Sequence, residues 1–421
     1  MNRKEIPMWL KIVRRLCINL VSLFLIPLYY LIGLLPRDRE LWVFCSWFGQ
    51  RYSDNSRLLF EYVNGNCKDI KAVWLSRNRA VVTLLRGKGC AAYSSMSFGA
   101  AWVLLRAGKI FSTTGGEIPL FFCRGAEYYA LWHGMPLKKI LEDDRHSGGI
   151  GAHIPLMRLY AQAAKRLFPW KSLTTQKKLL TVTNSEFFVP FLRTAFRLPD
   201  ERILRTGSPR CDALFHPHEE RLIREIRAKF PGSRIFMYMP TFRTAEWTGE
   251  VFNPFCEKYG FDMAEFLAEL ERHNSVLVYK PHYSDARFMQ TLRQNGEMSR
   301  LITVSDDDYD ELYNFVGQTD VLMTDYSSIY FDFIATRKPV ILLPFDYEDY
   351  LRYARTHYFD YFENMDGVKA RSWQEFYAIL AAGTYVPVSE ASRQRFAQYL
   401  DGECCANVVE RILVERANLA R

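Results

Sequence analysis

No Cys-x-x-Cys pair occurs among the nine cysteines of this 421-residue chain, and the adjacent Cys404-Cys405 falls in a helical C-terminal stretch. Neither a zinc site nor a disulfide framework is indicated, and the thiols read as reduced and cytosolic. The marks of disorder are missing too, since apolar residues make up 49% and aromatics 15%. A concentrated basic stripe is also absent. Lys plus Arg exceeds Asp plus Glu by 55 to 47, a net +8 spread along the chain. That balance disfavours nucleic-acid binding and suits a membrane surface or an anionic small substrate. One ordinary core cannot absorb this length, which fits two domains of roughly 150 to 200 residues each.

Charge is lacking altogether from Leu16 to Leu35, a stretch preceded by Arg3, Lys4, Lys11, Arg14 and Arg15 and followed by Arg37. As a helix it would rise roughly 30 Å, about one hydrocarbon thickness. The following Leu34-Leu35-Pro36-Arg37-Asp38 has no small-residue cleavage site, which weighs against a secretory signal. A true span with its basic end inside would export everything downstream, against the reading of reduced thiols. Pro27, Asn19 and Ser22 fit a kinked or re-entrant anchor, holding the chain on the cytoplasmic face of the cell membrane as a peripheral or monotopic protein.

From Glu40 onward short apolar runs alternate with amphipathic helical patterns, the signature of parallel sheets with crossover helices. The first series includes Leu41 to Cys45, Ala72 to Leu75, Lys109 to Ser112, Tyr128 to Leu131, Leu180 to Thr183 and Arg202 to Arg205. The second includes Ile235 to Met239, Val276 to Tyr279, Leu301 to Val304, Val321 to Met323 and Pro339 to Leu343. This organisation predicts an anchor over 1–36, an N-terminal α/β domain over 37–215, a second over 216–385 and a C-terminal helical segment over 386–421. Ile154 to Leu180 is basic with few acids, compatible with an anionic leaflet, a groove cover or a solvated helix. His216-Pro217-His218 lacks a third ligand and reads as linker, and Asp306-Asp307-Asp308 reads as a solvated loop, so no metal site is expected.

Polar motifs recur where the strands end, and parallel topology would bring them to one edge. Val321 to Asp332 is an apolar run, then Thr324-Asp325-Tyr326-Ser327-Ser328, then a helical pattern to about Thr336. Ser327 is the expected N-cap, and a strand end meeting a helix N-terminus offers hydroxyls and free N–H groups to phosphate. His133, beside Gly134 in a strand-end loop, is either a general base or a loop histidine bonded to backbone.

Taken in order, the motifs resemble the CDP-glycerol glycerophosphotransferase family of teichoic-acid and capsule synthesis, polymerases and primases alike. The likeness runs from about Gly115 to Asp360. It rests on Leu131-Trp132-His133-Gly134-Met135-Pro136-Leu137-Lys138, Gly207-Ser208-Pro209-Arg210-Cys211-Asp212, Pro240-Thr241-Phe242-Arg243, Lys280-Pro281-His282, Thr324 to Ser328, and Lys338-Pro339-Val340 through Pro344-Phe345-Asp346. The resemblance implies a GT-B-like architecture, two Rossmann-like domains facing across a cleft, with the nucleotide held mainly by the C-terminal one. It implies an enzyme that moves glycerol phosphate from CDP-glycerol, or a related CDP-polyol, to a hydroxyl of a lipid-linked glycan or polyol-phosphate acceptor, releasing CMP. No cofactor is implied.

His133 and His282 match the two motif histidines and are the implied catalytic pair. Arg243, Lys280, Thr324, Asp325, Ser327 and Ser328 fall on the donor and phosphate side, and Gly134, Lys138, Arg210 and Asp212 on acceptor or structural positions. Fixed positive charge over the transferring oxygens would leave no need for a bound metal. Two departures touch the substrates: Lys-Pro-His-Tyr stands where Arg-x-His-Pro is usual, and Tyr358-Phe359-Asp360-Tyr361 lacks the following Pro-Gly-Pro-like turn. The alternative is a GT-B glycosyltransferase using a nucleotide sugar, which would release a nucleoside diphosphate. A silent membrane scaffold is a third reading, disfavoured because it has no use for converging polar groups.

Overall fold

Strands buried on both faces must be apolar throughout, without alternation, and a parallel neighbour must be reached by a crossover long enough for a helix. Both conditions are met twice. In the computed structural model, residues 8–144, 155–241, 243, 252–281, 299–353 and 356–420 are described. The first unit comprises Met1–His133, Ile140–Val182 and Leu192–Leu204. It carries β1 (Asp38–Phe44), β2 (Lys71–Ser76), β3 (Ala91–Ser94), β4 (Ala107–Ser112), β5 (Glu127–Ala130), β6 (Leu179–Val182) and β7 (Ile203–Leu204). They pair in parallel in the order β3-β2-β1-β4-β5-β6-β7.

The second unit comprises Gly134–Lys139, Thr183–Phe191 and Arg205–Arg421. Its strands are β8 (Arg234–Met239), β9 (Ser275–Tyr279), β10 (Leu301–Thr303), β11 (Val321–Thr324), β12 (Val340–Leu342) and β13 (Val368–Lys369). The order β10-β9-β8-β11-β12-β13, again all parallel, repeats that of the first unit. Each sheet therefore reverses its winding once, between β1 and β4 and between β8 and β11. Loops leaving the C-terminal ends of those pairs are where open α/β sheets form binding crevices.

The unit boundaries differ from the expected 215/216 division. The change falls between Leu204 and Arg205, and the 386–421 segment is part of the second unit. Gly134–Lys139 also joins the second unit, because Lys138 makes an antiparallel bridge to His357 with Lys139 N donating to Thr356 O (3.0 Å) and Tyr358 N to Leu137 O (2.8 Å). Such a partner, more than two hundred residues away along the chain, leaves no local signal. The N-terminal helix, Met8–Ile32, is unbroken through Pro27, where a kinked or re-entrant segment was expected.

The first core is organised by aromatic rings in register across the winding reversal. Phe44 pairs with Phe111 and Phe111 with Tyr129 on adjacent strands. Their rings stack at 4.8 Å in both pairs, with interplanar angles of 11° and 17°. In the second unit Trp373, fully buried, stacks on Phe255 at 5.3 Å and donates its indole N–H to Pro254 O at 2.7 Å. Phe111→Ala removes the middle rung of the first ladder and should destabilise the first unit by about 3–5 kcal/mol. Trp102→Ala, at a site 63% exposed, should change stability by no more than about 0.5 kcal/mol. Denaturant titration followed by intrinsic fluorescence separates the two outcomes.

Candidate active site

In the first unit the loops after β1, β4 and β5 converge on His133. The Nδ1 atom of His133 lies 3.2 Å from the Thr113 carbonyl. A carbonyl only accepts, so Nδ1 carries the proton and the basic lone pair of the neutral ring is on Nε2. The ring lies 4.4 Å from Trp132 and 5.7 Å from Trp47, tilted by 32° and 46° against them. Trp47 is fixed in turn, its backbone N–H on Thr113 Oγ1 (3.0 Å) and its indole N–H on Asp54 Oδ2 (3.0 Å). Asn55, fully buried, donates to the Trp132 carbonyl at 2.8 Å and the Leu131 carbonyl at 3.3 Å, holding the chain just before His133.

Behind these loops lies Glu117, also fully buried. Its Oε1 accepts from Thr113 N (3.0 Å), Thr113 Oγ1 (3.2 Å) and Thr114 N (2.6 Å). Burial pushes its carboxyl pKa up, against the opposing pull of those donors. The sequence places Glu117 in the strand-end loop Thr113-Thr114-Gly115-Gly116-Glu117 but assigns no role to it, nor to Trp47, Asp54 or Asn55. For Trp47 and Asp54 the signal is conformational. Trp47, Phe48, Asp54 and Trp132, four of the eight non-glycine residues with left-handed φ among those described, are in these loops. Such strain collects at sites held by their surroundings.

In the second unit Gly134, at φ +139°, approaches Ser328 so closely that a Cβ would stand 2.2 Å from its Oγ and 3.2 Å from Arg210 Nη2. Only glycine leaves that space open. Arg210 is held from beneath, its Nη2 donating to Asp332 Oδ2 at 2.7 Å. Asp332, fully buried, also accepts from Tyr313 OH (2.6 Å) and Asn184 Nδ2 (2.7 Å), and Ser208 Oγ donates to Asn184 Oδ1 at 2.7 Å. The acid thus sets the guanidinium's position, and Gly134, Arg210 and Ser328 of the expected site residues come together.

The expected N-cap at Ser327 is corrected. The helix begins one residue later, Ile329–Phe333, followed by a 3-10 turn at Ile334–Thr336, and the cap position belongs to Ser328. Ser328 is already helical (φ −66°, ψ −15°), so its hydroxyl cannot bend back to a helix N–H and makes no cap bond. Ser327 and Ser328 are half-buried.

Other expected donor residues turn inward. Thr324 Oγ1 donates to Met239 O at 2.7 Å, tying β11 to β8. Asp325 Oδ1 accepts from Thr241 N at 2.7 Å and from Tyr326 N. Arg243, 3% exposed, makes a two-pronged pair with Asp346 at 2.6 Å on each prong. Its Nη1 also stands 2.7 Å from Asp325 Oδ2, an ion pair outside hydrogen-bond angles, and donates to Thr241 O at 2.6 Å. Burial works against this charge, and the two carboxylates outweigh it to raise the guanidinium pKa well above its usual value. With those donors committed, Arg243 braces the loops after β8, β11 and β12. Lys280 pairs with Asp306 at 2.9 Å. Asp212 accepts the N–H groups of Cys404 (2.7 Å) and Cys405 (2.8 Å), capping the helix Cys404–Ala420, a structural position. His282 and Phe242 lie outside the described residues.

Lys138 is bridged to His357, a residue that sequence reading passed over. The His357 ring lies 6.0 Å from Tyr326, 6.3 Å from Tyr347 and 6.0 Å from Tyr350. Neither ring nitrogen has a hydrogen-bond partner among the described residues. Burial, with Lys138 adding to it and Asp360 opposing, lowers its pKa to about 4.

Residues 28–414 match the family described as CDP-Glycerol:Poly(glycerophosphate) glycerophosphotransferase. The chain is 25% identical over 354 residues to a teichoic acid poly(glycerol phosphate) polymerase of Bacillus spizizenii, covering 79% of this chain and 81% of the relative. Over 402 residues it is 24% identical to a teichoic acid glycerol-phosphate transferase of Staphylococcus aureus, 91% of this chain and 95% of the relative. A teichoic acid poly(glycerol phosphate) polymerase of Bacillus subtilis aligns at 22% identity with 89% of this chain, which spans only 48% of that protein. The wall teichoic acid polymerase TagF shares the fold, with a TM-score of 0.72 at 21% identity over 97% of this chain and 99% of that one. A variant of TagF has been soaked with CDPG.

The depressed pKa of His357 has a consequence for stability. The unfolded chain, with its imidazole near 6.5, binds a proton that the folded state rejects until about pH 4. Stability from this group is therefore fully present above about pH 6.5 and falls as pH drops toward 4. His357→Phe should flatten the acid side of a stability-against-pH curve through that window. An unchanged slope would show that the ring titrates normally.

Proposed function

The chain belongs to the CDP-glycerol:poly(glycerophosphate) glycerophosphotransferase family, and from that premise we propose that it transfers glycerol phosphate from CDP-glycerol to a hydroxyl of a membrane-associated teichoic-acid-type acceptor, releasing CMP. The observation that carries the reading is the 3.2 Å contact between His133 Nδ1 and the Thr113 carbonyl at a strand-end loop, from which the base of the neutral ring follows as Nε2. In the reaction the acceptor oxygen forms a bond to the phosphorus that bears glycerol. The bond from that phosphorus to the bridging oxygen of CMP breaks, and the hydroxyl proton passes to Nε2 of His133. In the second unit the half-buried Ser327 and Ser328 are the groups suited to phosphate oxygens, with Gly134 packed close against Ser328 and the Arg210 charge, 4% exposed, set beside them. Asp332 keeps Arg210 aimed. Arg243 contributes by bracing the loops, so its removal acts through structure before it acts on affinity.

Purified protein incubated with CDP-glycerol, CDP-ribitol and nucleotide sugars, with lipid-linked acceptor extracts, tests the reading through the nucleotide released. CMP from CDP-glycerol is expected. A nucleoside diphosphate released from a nucleotide sugar would favour glycosyl transfer and overturn it. His133→Ala should lower kcat by about 10² or more with little change in donor affinity, because a general base acts on the acceptor proton. Retention of more than about a tenth of wild-type turnover would sink the assignment.

The same reading puts the protein on the cytoplasmic face, where a CDP-linked donor and a membrane-bound acceptor can meet. Support comes from the two faces of the helix Met8–Ile32. On one side Tyr29 and Ile32 are buried, Tyr29 packing 4.8 Å from Trp170 and 4.6 Å from the Arg124 guanidinium. On the other Leu20 (63%), Phe24 (82%) and Leu31 (59%) are exposed, apolar material suited to lipid. Leu20, Phe24 and Leu31 replaced together by Gln should release the protein from anionic vesicles while leaving its melting temperature and turnover of soluble acceptor analogues intact. Undiminished sedimentation with vesicles would remove the anchor.

A further inference from the structure

Glu117 lies outside every motif that carries the family likeness to phosphate or nucleotide chemistry, yet its carboxylate is fully buried in the first unit. A buried carboxylate costs several kcal/mol unless its bonds are made. Three donors meet Oε1, all from Thr113 and Thr114, whereas Oε2 has no hydrogen-bond partner among the described residues. The acid is thus spent on one short turn. That turn presents the Thr113 carbonyl to His133 Nδ1 and the Thr113 hydroxyl to the backbone of Trp47, whose ring lies against the imidazole.

We infer that Glu117 is a positioning residue for the base: by folding the Thr113–Glu117 turn it aims the Thr113 carbonyl at Nδ1 and so selects the tautomer whose lone pair is on Nε2. The histidine side chain in water favours the opposite tautomer, with its proton on Nε2. The fixed carbonyl must therefore supply the preference, as the partner of one ring nitrogen sets the state of the other. A Thr113 peptide released from Glu117 would rotate, the carbonyl would leave Nδ1, and part of the population would carry its proton on the nitrogen that has to accept one. The inference rests on His133 acting as the base of the proposed transfer.

Two variants separate the acceptor role from simple filling of space. Glu117→Met keeps the volume and removes the acceptor, and Glu117→Gln keeps an oxygen where Oε1 stands. Side-chain 15N NMR reads the tautomer directly, the His133 signals being identified by their loss in His133→Gln among the eight histidines. In the wild type, at a pH where the ring is neutral, Nδ1 should read as protonated and Nε2 as bare. Glu117→Met should average the two nitrogens, and Glu117→Gln should preserve the wild-type pattern.

Turnover should follow. kcat falls about tenfold or more in Glu117→Met while KM for CDP-glycerol stays within about twofold, and Glu117→Gln keeps at least about half of kcat. An unchanged tautomer in Glu117→Met overturns the inference, as does Glu117→Gln folding normally but losing as much as Glu117→Met. The NMR measurement needs no substrate. Failure of the wild type to release CMP would therefore strike the proposed reaction and leave the tautomer result standing.

Discussion

Parallel pairing is the constraint from which the rest follows. A parallel partner cannot be reached by a tight turn, so every strand is followed by a crossover, and every crossover leaves from the same edge of its sheet. Where the winding reverses, between β1 and β4 and between β8 and β11, two such departures diverge and leave room between them. The first reversal is lined by the Trp47 and Thr113 loops, with His133 on the next strand end. The second is lined by the Thr241–Arg243 and Thr324–Asp325 loops. The stacked rings of Phe44, Phe111 and Tyr129 fix the register of β1, β4 and β5, and with it the height at which their loops emerge.

Loops at such an edge carry many polar groups, and the second unit solves this with buried charge. Arg243 holds Asp325 and Asp346, and Arg210 holds Asp332, all at most 7% exposed. Buried pairs of this kind add little net stability over apolar packing, but losing one partner leaves a charge that costs about 3–5 kcal/mol. Their value here is geometric. A two-pronged Arg243–Asp346 contact permits one arrangement of the strand-end loops, and the Asp332 cluster permits one direction for Arg210.

In the first unit the corresponding rigidity comes from uncharged hydrogen bonds and from two buried acids, Asp54 on the Trp47 indole and Glu117. Asn55 restrains the backbone before His133, and Glu117 restrains the turn that meets its ring. The left-handed φ of Trp47, Asp54 and Trp132 is tolerated because these bonds over-determine the loops.

Residue order by itself determined the alternation of strands and helices, the parallel class of both sheets, the apolar N-terminal helix and the motif set that carries the family. These depend on near neighbours: apolar runs, breakers, and short clusters at strand ends. Tertiary structure alone decided which of the polar residues look outward and which look at one another. Thr324, Asp325 and Arg243 read like ligand groups in the sequence, and they turn inward because their partners Met239, Thr241 and Asp346 arrive from other strands, up to 103 positions away. Ser327 yielded its cap to Ser328 because the turn was already helical there. Glu117, Asn55 and Asp332 carried no local sign of their roles, since a single acid or amide acquires meaning only from the backbone groups that folding sets against it.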